Sequence, residues 1–195
     1  MDLIDHLVGI APGSALDGIR ARRAVARAQS VESYRVLFTP GAPGAVSIAE
    51  RFAVGAYVTG LHGPSPTAEH YMAELKSRAP AALAEAVAQA IAETHGTGPY
   101  GCFPKGPLSA ENAPGAECAF SPPLAEALGP RLAAALTHAH FLIFHPRDAA
   151  PERFAPLLAA GWSTTEIVTL SQIVSFLTYQ IRIVAGLRVL ADNLA

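Results

Sequence analysis

The chain has 195 residues, 51% of them apolar and 15% charged, with a formal net charge of −2. That balance excludes the basic footprint that nucleic-acid binding needs, and the 2 cysteines exclude a disulfide framework. The length fits one domain, residues 1–195, burying on the order of 70% of its unfolded surface, and so apolar a composition is expected to hide part of its surface in a homo-oligomer.

The first residues, "MDLIDHLVGIAPGS", carry Asp2 and Asp5 where a secretory signal needs positive charge, so a cytoplasmic location is expected. Ser14 with Asp17 opens one amphipathic segment, "SALDGIRARRAVARAQSVESYRVLF", with Leu16, Ile19, Val31, Tyr34 and Leu37 inward. Its arginines Arg20, Arg22, Arg23 and Arg27 read as a solvated helix face. A turn-rich linker, "TPGAPGA", follows, and Ser47 with Glu50 then makes the S-x-x-E capping box ahead of an apolar run from Phe52 to Leu61. In "GPSPTAEH", Ser65 stands at an N-cap and Pro66 at the first helical position, where a missing N–H costs nothing. The second proline therefore starts a helix, and His70 sits one turn inside it.

Pro80 starts the next helix, with Leu83, Val87 and Ile91 on one stripe and Gly96 as its stop. Residues 96–123 hold five glycines and six prolines and predict a long loop, which contains Cys102 and Cys118. Tyr100 and Phe103 would form a lid there or pin the loop down. A helix is expected over "PRLAAALTHAHFLIF", then a short one between Asp148 and Gly161. Ser163 and Glu166 form a second capping box that opens a long final helix with Ile167, Leu170, Val174, Leu177, Ile181 and Val184 on one seam. Ile173, Phe176, Ile183 and Leu187 make that helix apolar on most sides, which predicts a central position. Its uncharged run from Ile167 to Ile181 spans 15 residues, against about 20 for a membrane helix, so no membrane partner is expected. No strand or repeat competes, and the fold class is all-α.

An apolar helix that begins "ER", a short turn, and a second helix with a histidine in its first turns resembles the carboxymuconolactone decarboxylase and alkylhydroperoxidase D superfamily. Its redox members carry C-x-x-C-x-x-x-H at this helix start, where two thiols one turn apart can close a disulfide. His70 matches the histidine, but the cysteine positions fall on Gly63 and Pro66, and neither can be a nucleophile. The family's relay glutamate falls on Arg51, with Glu50 beside it. Downstream, "LLAAGWSTTEIVTLSQIVSFLTYQIRIVAGL" is similar to the peroxidase-related branch, with Arg182 near the middle of the last helix. The likeness covers residues 46–95 and 128–190.

The resemblance implies an alkylhydroperoxidase D-like bundle without dithiol peroxidase chemistry, and with neither cofactor nor metal. It implies a small apolar pocket near Gly63, Pro66 and His70, roofed by the final helix. There His70 would act as general acid or base on a ring carbonyl or lactone, Glu50 as its orienter, and Arg51 or Arg182 as an anion clamp. The bland readings are a capping-box role for Glu50, structural pairing for both arginines, and a packed His70. Two rival functions stand beside this one: a non-enzymatic binder of a small ligand, and an oxidoreductase using Cys102 or Cys118. As a disulfide that pair would close a loop worth about 3 kcal/mol. His138, His140 and His145 invite a metal reading, but His138 and His140 are two apart on a helix and point to different faces.

Overall fold

The computed structural model describes residues 2–194, so the end residues of the expected 1–195 domain lie outside it. Among the described residues the protein is all-α, with a lone bridge between Gly101 and Ala113 in place of any strand. The helices are α1 (Leu3–Val8), α2 (Ala15–Ala21), α3 (Ala24–Phe38), α4 (Ile48–Leu61), α5 (Pro66–Arg78) and α6 (Ala81–Thr94). After the Gly/Pro loop come α7 (Pro122–Phe144), α8 (Ala155–Ala159) and α9 (Thr164–Asp192).

The centre is α4, not the final helix. Ten of its fourteen residues are buried, and it packs against α5, α6, α7 and α9. Two glycines make those approaches possible: a Cβ on Gly55 would stand 2.9 Å from Tyr71, and one on Gly60 would stand 2.4 Å from Ile91. The aromatic core sits on the same helix, where Phe38, Phe52 and Tyr71 pack with ring centroids 4.9–6.3 Å apart. Each such fully buried ring is worth about 1.5–3 kcal/mol.

Both capping boxes form reciprocally, Ser47 with Glu50 and Ser163 with Glu166. One arginine then joins them. Arg131 of α7 donates from Nε to Glu50 (2.8 Å), pairs with Glu166, and donates to the Gly161 carbonyl (2.9 Å), while its guanidinium lies 3.8 Å from the centre of the Trp162 ring. The starts of α4 and α9 are thereby tied to α7. Hydrogen bonds from Ser163 and the Arg131 charge hold the Glu166 carboxyl down at about 2.

Several expectations are corrected. The segment 14–38 is broken at Arg22 and Arg23 into α2 and α3, and Val31 faces outward while Phe38 takes its place in the core. Arg20 and Arg27 are not a solvated face. Arg20 is 8% exposed and pairs with Asp2 and Asp5, and Arg27 pairs with Asp2, Asp5 and Asp17, which bolts α1 to α2 and α3. The helix expected from Pro130 starts at Pro122 and kinks at Gly129, whose φ is +70°. Pro80 is an N-cap rather than the first helical residue. The loop is pinned, not a lid: Tyr100 packs on Phe144 and His145, Arg147 lies over Phe103, and Asp148 accepts the Cys102 N–H.

The final helix has two characters. Its expected seam is buried except at Ile181, yet only 33% of its most apolar stretch is covered, and α9 is long and apolar enough to cross a membrane. The exposed residues Val168, Gln172, Ser175, Tyr179, Arg182, Gly186 and Val189 recur at alternating intervals of four and three along one stripe.

Arg51 is 6% exposed and gives its donors to three carbonyls, Val46 (3.0 Å), Leu37 (2.7 Å) and Pro43 (2.8 Å). It closes the linker between α3 and α4. Arg51→Met is expected to lower the unfolding free energy by about 3 kcal/mol, and the half-exposed Arg131→Met by about 2 kcal/mol. Urea denaturation followed by circular dichroism checks both.

Candidate functional site

The turn after α4 and the start of α5 are built as expected. Gly63 adopts φ +92°, the Ser65 hydroxyl accepts the Ala68 N–H at 3.1 Å, and Pro66 is the first helical residue. His70 follows one turn later, half-buried in an aromatic group. Its Nε2 lies 3.3 Å from the Tyr34 hydroxyl, and its ring meets Tyr71 edge-on at 5.1 Å. Burial lowers the His70 pKa despite the nearby Glu74, and burial pushes the Tyr34 phenol up to about 12. The pair is therefore neutral imidazole on neutral phenol at physiological pH, which packs well but activates neither group.

The partners expected for His70 are committed elsewhere. One Glu50 oxygen accepts from the Ser47 N–H and hydroxyl, both at 2.8 Å, and the other accepts from Arg131. Arg51 is spent on its three carbonyls and cannot clamp an anion as well. Of the expected site residues, Arg182 lines a cleft. It is exposed, its Nη1 donates to the Thr178 carbonyl at 3.0 Å, and no carboxylate pairs with it among the described residues.

That cleft has a volume of about 520 Å³ and lies between the end of α4 (Leu61, His62), residues 95–99, the end of α7 (Leu142 to Phe144) and α9 (Thr178, Arg182). The sequence suggested a pocket near Gly63, Pro66 and His70; this cleft is a different one, since of the expected residues it takes in Arg182 and none of those three. The ends of α4, α6 and α7 converge on it, each with a partial negative charge from its last carbonyls. Three basic side chains, His62, His95 and Arg182, stand against that field. Loss of water in the cleft lowers the His62 pKa, and the Arg182 charge adds to this, so His62 is mostly neutral at neutral pH.

His62 and His95 were missed from the sequence. A signal was present: "LHG" at 61–63 and "THG" at 94–96 each place a histidine between the last helical residue and a glycine, where a helix C-terminus favours a basic group. Because α4 and α6 both pack beside α5, the two ends meet at one side of the bundle.

The remaining candidates have contacts within the fold. His138 Nε2 meets the Ser171 hydroxyl at 3.2 Å, His140 Nε2 faces the Thr94 carbonyl at 3.2 Å, and His145 lies between Asp148 (3.2 Å) and the Ala116 carbonyl (2.9 Å). The buried Nδ1 of His140 has no hydrogen-bond partner among the described residues. Both cysteines are free, Cys102 exposed and Cys118 half-buried, with Sγ 3.8 Å from the Tyr57 hydroxyl. Burial pushes the Cys118 thiol up, against hydrogen bonds from Tyr57 and Thr137. A protonated thiol is a poor nucleophile.

Comparison of the chain with protein-family models, with curated proteins and with solved structures finds no match in any of the three.

With the Cys118 thiol protonated and no C-x-x-C pair, the protein is expected to show no dithiol-dependent reduction of an organic hydroperoxide, and a Cys102→Ser, Cys118→Ser double variant to behave identically. Turnover lost in the double variant would make the loop the active element. A second expectation concerns stability. Burial lowers His62, His70, His138 and His140 below their usual 6.5, so the unfolded chain binds more protons than the folded one as pH falls through that value. Their contribution is complete above it and declines over the acid interval below it. The urea midpoint should fall over that interval, and less steeply in His138→Gln.

Proposed function

We propose that the protein is a small-ligand-binding relative of the carboxymuconolactone decarboxylase and alkylhydroperoxidase D superfamily, without dithiol chemistry, whose cleft between α4, α7 and α9 takes a neutral ring carbonyl or lactone. The kinship is supported by the order of elements: a capped apolar α4, a turn, a proline-started α5 bearing His70, then a short α8, a left-handed Gly161 and a capped long α9. The observation that carries the ligand reading is Arg182, which has no carboxylate partner among the described residues and lines the same cleft as His62 and His95. The guanidinium and the imidazoles are hydrogen-bond donors, while the three helix C-termini disfavour a fully charged anion. A neutral acceptor such as a lactone carbonyl satisfies both conditions.

The enzymatic alternative at His70 has less support, because Tyr34 occupies the imidazole and Glu50 and Arg51 are engaged elsewhere. A cytoplasmic, self-associating protein belongs to the same proposal, and self-association is supported by the exposed Val168, Tyr179 and Val189 on α9.

The test is calorimetric titration with small lactones and cyclic ketones, each with and without an added carboxylate, with nuclear magnetic resonance of the ligand to detect turnover. The neutral compounds should bind without being consumed. Arg182→Met should weaken them about tenfold, the worth of one charge-assisted hydrogen bond. Consumption that His70→Ala abolishes would establish the enzymatic alternative, and equal affinity in wild type and Arg182→Met would remove the cleft from consideration.

A further inference from the structure

A second concavity, of about 320 Å³, runs along the other side of α9 between that helix and α2–α3. Its floor is apolar: Ile19 from α2, and Ile183, Leu187 and Leu190 from α9. From Tyr179 to Leu190 the α9 wall spans eleven residue steps, or about 16 Å. Gly186 lies along the trough, and a Cβ there would meet nothing within 4 Å, so the missing side chain leaves open space. The Tyr179 hydroxyl is 2.9 Å from the Ser30 hydroxyl, and Ser30 donates to the Ala26 carbonyl. This cross-link between α3 and α9 separates the trough from the groove farther along the same helices, which is lined by Val36, Phe154 and Val168.

Four arginines border the trough, and they are not equivalent. Arg20 and Arg27 are held by Asp2, Asp5 and Asp17. Arg23 and Arg182 also line it, and neither has a carboxylate partner among the described residues. Arg23 is also the N-cap of α3, whose first N–H groups receive no side-chain cap, so a partial positive charge adds to the guanidinium at that end.

From this combination we infer that the trough binds a free medium-chain aliphatic carboxylate, with the carboxylate on Arg23 and the chain lying over Ile183, Gly186 and Leu187 towards Tyr179. The volume is at the small end of the range for organic ligands, about 300–1,000 Å³. A docked helix from another chain would need a continuous groove, and the Tyr179–Ser30 cross-link interrupts it. Uncompensated positive charge beside an apolar floor matches an amphipathic acid, not a neutral lipid. This inference does not rest on the lactone cleft, from which the trough differs in every lining residue but Arg182.

The experiment is calorimetric titration of the full chain with hexanoate, octanoate, decanoate and decanol. Affinity should rise with length by up to about fourfold per methylene, and decanol should bind at least about tenfold more weakly than decanoate, for want of the charged hydrogen bond. Gly186→Leu fills the trough at a site with room and raises helix propensity. It should keep its circular dichroism and melting temperature while losing decanoate by at least about tenfold. Arg23→Met should lower decanoate affinity and leave decanol unchanged. Equal binding of decanoate and decanol, or decanoate binding that survives Gly186→Leu, would overturn the inference. Absence of decanoate binding would also overturn it, whether or not phosphatidylglycerol vesicles or a second copy of the chain then proved to occupy the trough.

Discussion

The arrangement depends most on one guanidinium shared by two helix starts. A capping box alone satisfies two N–H groups at the beginning of one helix. Arg131 adds a cation that both capping glutamates need, and its flat face covers Trp162. The starts of α4 and α9 are thereby held at a set distance from α7, and everything between those helices inherits that spacing. The cleft lies at the opposite end of α4, where that helix, α7 and α9 surround residues 95–99.

A second constraint follows from the small number of charges available to an apolar chain. Nearly every ionisable side chain inside the bundle is already paired: Arg51 with linker carbonyls, Arg20 and Arg27 with aspartates, Glu50 and Glu166 with Arg131. Desolvation makes such pairing compulsory, since an unpaired buried charge costs several kcal/mol. The same demand removes these groups from chemistry, because a guanidinium that already satisfies three carbonyls has no donor left for a substrate. Two of the exposed arginines without a carboxylate partner among the described residues, Arg23 and Arg182, border concave regions.

The long last helix connects these features. Its buried face completes the core around Phe176 and Leu177, while its outer stripe forms one wall of the cleft beside His62 and one wall of the apolar trough. Each use draws on a different residue type: Leu and Ile for packing, Gly186 for open volume, Arg182 for a donor. A helix apolar on most sides looks central from its sequence, yet here its apolar residues are divided between core packing and the lining of surface concavities.

Local chemistry was legible in the sequence. Ser47, Ser65 and Ser163 announce helix starts because a hydroxyl three residues before a backbone N–H caps it wherever the chain lies. The all-α class follows from the apolar spacing of the helices. The break at Arg22–Arg23, the burial of Arg20, the engagement of Glu50 by a residue 81 positions away, and the meeting of His62 with His95 and Arg182 could not be read in the same way. Capping and periodicity are short-range, set by neighbours a turn apart, and the sequence by itself determined them. Which charges would find one another, and which would be left facing a cleft, depended on the packing of α4 against four other helices, and only the tertiary structure decided that.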